Sequence, residues 1–147
     1  MPVVAITTAL IAVVASVAFH LGTFVVLTRV LDRWFPKVAW WVIGALVLVA
    51  ISAHICEITI FAGGIHVLEY LDPSQAPEDT GRYSVWYRSA SAYTALGSDQ
   101  PSPRFAERWL TAVEALTGLI LISWTASFLF LEMQKSPAAQ RRHHRNT

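Results

Sequence analysis

The sequence contains few charged residues. They make up 14% of its 147 residues, whereas hydrophobic residues make up 54%, and the mean hydropathy is +0.47. A soluble domain has about 25% charged residues, so the composition excludes an ordinary soluble domain and indicates a single membrane-embedded domain. The only cysteine, Cys56, excludes a disulfide within the chain. The net charge of +1 does not bear on nucleic-acid binding, and since the sequence has no basic aromatic patch, no nucleic-acid partner is expected.

Motifs of enzymes are also lacking. The sequence has no Ser/His/Asp or Cys/His arrangement, no phosphate-binding loop and no HExxH pattern, so it gives no support for an enzyme. No Lys or Arg precedes the first apolar run, which disfavours a cleaved signal peptide.

Three long apolar segments are present, at residues 3–27, 39–68 and 109–131. Each reaches the length of about 20 residues that crosses a bilayer. Basic residues cluster in the first loop and in the tail (Arg29, Arg33, Lys37, Lys135, Arg141, Arg142 and Arg145). With three spans these two regions lie on one side, and the positive-inside rule makes that side cytoplasmic. The amino terminus is then outside.

A less apolar stretch, residues 82–109, separates the second and third segments. It begins with aromatic and small residues, continues with the string Thr94-Ala95-Leu96-Gly97-Ser98-Asp99, and then contains two prolines. A short amphipathic helix, a Thr/Gly string and an extended polar return are typical of a re-entrant pore loop. The non-helical backbone of such a loop is tolerated at membrane depth only where protein or water surrounds it.

The string 93–99, YTALGSD, resembles the T-V-G-Y-G-D filter of potassium channels. Residues 54–58 and 109–119 also resemble small bacterial members of that superfamily, and the resemblance covers roughly residues 39–131. The Tyr-Gly pair of the filter is replaced by Ser98-Asp99, and its second Thr is Ala95. Either Asp99 replaces the second filter Gly, or one residue is deleted and Asp99 is the Asp that follows the filter.

This resemblance implies an all-α, tetrameric membrane protein with three transmembrane helices, a re-entrant pore helix and a filter loop. The chain then divides into an extra amino-terminal transmembrane helix (1–31), an outer pore-module helix (38–70), an extracellular loop (71–83), the pore helix and filter (84–103), an inner pore-lining helix (104–133) and a basic cytoplasmic tail (134–147). Since one pore loop cannot make a filter, several copies must surround one axis, and the resemblance implies that there are four.

In such a tetramer the filter consists of residues 94–99. The carbonyl groups of Thr94, Ala95, Leu96 and Gly97 replace the hydration of K⁺, Na⁺ or Ca²⁺, and no other cofactor or metal is expected. Asp99 either forms an acidic ring that attracts cations or points backward into a hydrogen-bond network. Without the full carbonyl stack, we expect weak K⁺ over Na⁺ selectivity and sensitivity to Ca²⁺.

The third span is expected to line the pore. Gly118 lies where the relatives have an inner-helix hinge, although a helical Gly also permits close packing. From there one helical face continues through Leu119, Ile122, Ala126 and Phe130. That face forms the cavity and inner gate, or else a stripe that packs against protein or lipid.

Titratable residues within the spans form a further candidate site. His54 and Glu57 share a helix face in the outer half of the second span, and Glu114 lies near the outer end of the third. We expect these three to meet behind the filter, as a clamp on the pore helix or as a proton sensor. His20 is expected in the opposite half of the membrane, which disfavours a haem held by His20 and His54.

The H-x-x-E spacing of His54 and Glu57 recurs at His66 and Glu69, about 18 Å away along a helix. Either pair alone has too few ligands for a zinc site. Three hypotheses follow: a homotetrameric cation channel of the bacterial plasma membrane, a non-conducting relative that serves as a scaffold or partner subunit, and a membrane protein that binds haem or metal.

Overall fold

The computed structural model describes residues 2–35, 39–72, 82–96 and 105–135. These residues form four helices: α1 (Pro2–Trp34), α2 (Trp40–Leu71), α3 (Arg82–Tyr93) and α4 (Phe105–Gln134). No strand occurs in this part of the chain. The predicted all-α fold is therefore confirmed.

Three of these helices, α1, α2 and α4, are long and apolar enough to cross a membrane. Their apolar stretches contain 32, 32 and 30 residues, which at 1.5 Å per residue gives about 45 Å, more than a hydrocarbon core of about 30 Å. Most side chains along them face outward, including Ile11, Leu48 and Leu119. Such surfaces suit lipid or further protein, and the length and composition of the three helices are compatible with a multi-pass membrane protein.

Contacts at the two ends of the bundle give the helix directions. At one end, Gly64 of α2 approaches Thr8 of α1 and Leu110 of α4. At the other end, Leu31 of α1 packs with Val42 near the start of α2. Hence α1 and α4 run in the same direction and α2 runs in the opposite one, as three successive spans require.

A stripe of small residues brings α1 close to its neighbours. Ala5, Ala9, Ala12 and Ser16 are all buried, and they follow one another at intervals of three or four residues. In a membrane, small residues let helix backbones approach closely and so replace much of the hydrophobic driving force available in water. The next position of this stripe is His20, which is therefore also directed into the bundle.

The short helix α3 packs between α2 and α4. It ends at Tyr93, whose carbonyl oxygen lies against Gly118, near the middle of α4. Ala95 then has a φ of 54°, the left-handed conformation that commonly ends helices. The start of α3 lies at the end of the bundle where α2 stops and α4 begins, so α3 runs from that end towards the middle.

The helix directions predict a labelling pattern. In a Cys56→Ser background, cysteines introduced at Asp32 and Gln134 should react with an impermeant thiol reagent from the same membrane face. A cysteine at Tyr70 should react only from the opposite face. The measurement is labelling of right-side-out and inside-out vesicles, and the Cys56→Ser protein without added cysteine is the control. Reaction of the Asp32 and Tyr70 positions from one face would contradict this topology.

Candidate functional site

The carboxylate of Glu57 is fully buried and has hydrogen-bond partners on three helices. Nδ1 of His20, on α1, lies 2.7 Å from Oε1. Nδ1 of His54, one turn earlier on α2, lies 2.9 Å from Oε2. The hydroxyl of Tyr93, the last residue of α3, donates to the same Oε2. We call these four residues the Glu57 cluster.

The cluster also reaches the fourth helix. Nε2 of His54 lies 3.1 Å from the hydroxyl oxygen of Thr125 on α4. The Nδ1 atom of the same ring is 3.0 Å from the Tyr93 hydroxyl. His54 is thus fixed at both ring nitrogens, and the network joins α1, α2, α3 and α4 at one level.

Aromatic side chains surround the His20 side of the cluster. The ring of His20 lies 4.4 Å from that of Phe24 and 5.5 Å from that of Trp124, measured between centroids. Its Nε2 is buried and has no hydrogen-bond partner among the described residues. In such apolar surroundings a bare carboxylate is costly, and each hydrogen bond to it is stronger than in water.

The predicted separation of His20 and His54 into opposite halves of the membrane is wrong. Their ring centroids are 5.6 Å apart. His20 precedes Trp34 by fourteen residues and His54 follows Trp40 by fourteen. In adjacent antiparallel helices both rings therefore lie about 21 Å from the same end. Counting residues from the loop between α1 and α2 would have placed the two histidines at the same depth. The argument from depth against His20 and His54 as ligands of one group therefore no longer holds.

Glu114 does not join His54 and Glu57 as the sequence predicts, but binds to Ser89 on α3. Ser89 is fully buried, lies one helical turn before Tyr93, and its hydroxyl is 2.9 Å from the carbonyl oxygen of Ile58. The corrected arrangement is two neighbouring attachment points on α3, one at Ser89 and one at Tyr93. Glu57 and Glu114 thus both contact α3, the helix that corresponds to the pore helix of the clamp hypothesis.

A third attachment of α3 was not predicted from the sequence. Arg88 forms ion pairs with Glu69, near the end of α2, and with Glu107, near the start of α4. The Arg88 Nε to Glu107 Oε1 distance is 3.1 Å. His66 contributes little, since its side chain is 73% exposed and its Nδ1 is 3.8 Å from Glu69. The signal available in the sequence was an arginine in the stretch between two long helices, with an acidic residue near the adjoining end of each of them.

The candidate filter residues begin at the end of α3. Thr94, Ala95 and Leu96 form a turn there and are exposed, with Leu96 84% exposed. The Thr94 hydroxyl donates back to Ala90 O at 2.8 Å. Gly97, Ser98 and Asp99 lie outside the described residues.

Gly118 is covered by the end of α3. A Cβ atom at this position would lie 2.2 Å from the Tyr93 carbonyl oxygen. This contact supports close packing, one of the two interpretations of Gly118. The other candidate pore-lining residues are exposed along one side of α4: Leu119, Ile122, Ala126 and Phe130.

Comparisons with protein-family models, with curated proteins and with solved structures find no match for this chain. The resemblance to potassium channels therefore depends on the residues quoted above.

The Glu57 cluster predicts a large loss of stability in Glu57→Ala. This change leaves the buried His20 and Tyr93, and the partly exposed His54, without their shared acceptor, and removing one partner of a buried pair costs about 3–5 kcal/mol. Thermal unfolding in detergent is the measurement. Ser52→Ala on the same helix is the control, because Ser52 is exposed and bonds only to its own helix, so its effect should stay within about 0.5 kcal/mol. Equal stability of the two variants would show that the cluster does not hold the fold.

The contact between Gly118 and Tyr93 predicts that Gly118→Ala displaces the end of α3. The new methyl group meets backbone, which cannot rotate away, and overpacking of this kind costs about 1–3 kcal/mol. Gly63→Ala is the matched control, since nothing lies within 4 Å of its Cβ position, and Ala there should stabilise the helix by up to about 1 kcal/mol. Unfolding midpoints that move together in the two variants would refute the contact.

Proposed function

We propose that this protein is a pore-loop cation channel of the plasma membrane, in which four identical chains surround one axis. The supporting observation is the position of α3. This helix of 12 residues is too short to span a bilayer, yet its end is attached at the mid-level of two helices that are long enough to do so.

The depth of Tyr93 follows from its two contacts. Its hydroxyl binds Glu57, which is seventeen residues after the start of α2 and fourteen before its end. Its carbonyl oxygen meets Gly118, thirteen residues after the start of α4 and sixteen before its end. The end of α2 and the start of α4 lie at the same end of the bundle, where Arg88 of α3 contacts both. These positions support a re-entrant loop.

Backbone that turns at this depth needs polar surroundings. If several copies enclose a water-filled axis, the exposed residues 94–96 have such polar surroundings. The carboxyl end of α3 then points towards this axis and carries partial negative charge, which favours a cation. The carbonyl groups of residues 94–97 would replace the hydration of the ion, and a ring of copies would also cover the exposed Leu96.

The exposed face of α4 suits the inner cavity of the same assembly. Leu119, Ile122 and Phe130 are 57%, 38% and 60% exposed in the single chain. Closed cyclic symmetry would bring four such faces together below the filter. The exposed residues of α1, such as Ile11 at 70%, would face lipid.

Conduction and its path are tested together. Purified protein in planar bilayers should carry cations with weak K⁺ over Na⁺ selectivity, read from reversal potentials. In a Cys56→Ser background, a charged thiol reagent should block Leu119→Cys and leave the matched Ile11→Cys unaffected, because water reaches only the pore face.

Asp99→Asn should reduce block by external Ca²⁺ if the carboxylate faces the axis.

Three outcomes would change the proposal. A strongly K⁺-selective reversal potential would show that the altered filter still forms a full carbonyl stack. Block of neither cysteine variant would move the pore away from α4. A correctly assembled tetramer without current would favour the non-conducting scaffold.

A further inference from the structure

We propose that the Glu57 cluster is a binding site for a transition-metal ion of the zinc class, with His20, His54 and Glu57 as ligands. Each of these residues offers one donor atom, and the three donor atoms lie within 4.8 Å of one another. His20 comes from α1, so the site joins the extra amino-terminal helix to the proposed pore module. The inference concerns binding alone and does not depend on conduction.

The ligand types select the metal. Two imidazoles and one carboxylate form a common set for Zn²⁺ and also suit Fe²⁺. Mg²⁺ and Ca²⁺ prefer sites made of oxygen atoms alone. Neither H-x-x-E pair in the sequence has enough ligands by itself, and the third ligand is His20, at the same depth as His54.

In the metal-free protein, hydrogen bonds join the candidate ligand atoms. The His20 Nδ1 to Oε1 and His54 Nδ1 to Oε2 distances are 2.7 and 2.9 Å, as hydrogen bonds require. Bonds of about 2.0–2.1 Å from zinc to each ligand place neighbouring ligands about 3.3 Å apart in a tetrahedron. The histidine that pairs with the oxygen bound to the ion therefore has to move away from it by about 0.5 Å, a distance within the range of a small side-chain rotation.

Tyr93 is positioned to complete the site. Its hydroxyl oxygen lies 3.0 Å from His54 Nδ1 and is hydrogen-bonded to Glu57. The same oxygen is therefore close enough to contact an ion that His54 and Glu57 hold. Thr125 would hold the far nitrogen of His54, as outer partners of metal-bound histidines usually do.

Other histidines of the chain have to be separated from this site. His66 is exposed beside Glu69, and His143 and His144 lie in the basic tail. A variant with both tail histidines replaced by alanine is therefore the reference protein. His66→Ala, made in that reference, is the matched control because it removes an exposed histidine that also has a carboxylate three residues later.

The experiment measures metal bound by the detergent-purified reference protein after dialysis against micromolar Zn²⁺, and the absorption spectrum after titration with Co²⁺. We expect one ion per chain, a tetrahedral Co²⁺ spectrum and a higher unfolding midpoint with metal, because an ion that binds the folded state stabilises it. His66→Ala should behave like the reference. His20→Gln should lower the affinity at least about tenfold.

Two results would overturn the proposal even if the His20→Gln protein folds poorly. The first is a reference protein that retains no Zn²⁺ and gives no tetrahedral Co²⁺ spectrum. The second is retention that His66→Ala abolishes, which would assign the ion to the exposed histidine. A folded His20→Gln protein with unchanged affinity would also exclude the site.

Discussion

The arrangement of this protein depends on the burial of one carboxylate. Glu57 lies at the mid-level of the bundle, where it is fully buried and where an unpartnered charge would be costly. Its partners come from α1, α2 and α3, and His54 extends the network to α4. Hydrophobic burial gives little net drive for helix association within lipid, so polar contacts and close packing of small residues set the register. A shift of α1, α2 or α3 by one turn would separate Glu57 from a partner, and a shift of α4 would separate His54 from Thr125.

The same network explains how a short polar helix is held between two long apolar ones. Arg88 fastens α3 near the end of the bundle, Ser89 binds Glu114 one turn before the helix ends, and Tyr93 binds Glu57. Gly118 provides the space for the last carbonyl group. These attachments fix the point from which residues 94–96 leave the helix. In the proposed channel, that precision allows four copies to present carbonyl groups to one ion.

Much of this fold could be predicted from the sequence, because apolar length and the polarity of the intervening stretch are local signals. The common face of His54 and Glu57 was also predictable, since it follows from helical spacing. The partners of Glu57 on other helices were harder, because they depend on how far each helix extends and on which face packs inward. His20 was misplaced for the first reason, although the stripe from Ala5 to Ser16 indicated its direction. Tyr93 becomes recognisable as a partner of Glu57 only when α3 is placed between α2 and α4.

The most direct test of the central claim, that Glu57 holds the end of α3 at mid-membrane depth for a shared pore, is a density map of the protein in lipid nanodiscs. The account predicts four chains around one axis, with Tyr93 against Glu57, its carbonyl group against Gly118, and residues 94–96 nearest the axis. A map in which α3 lies along the membrane surface with Tyr93 away from Glu57, or in which the chains form no closed ring, would contradict it.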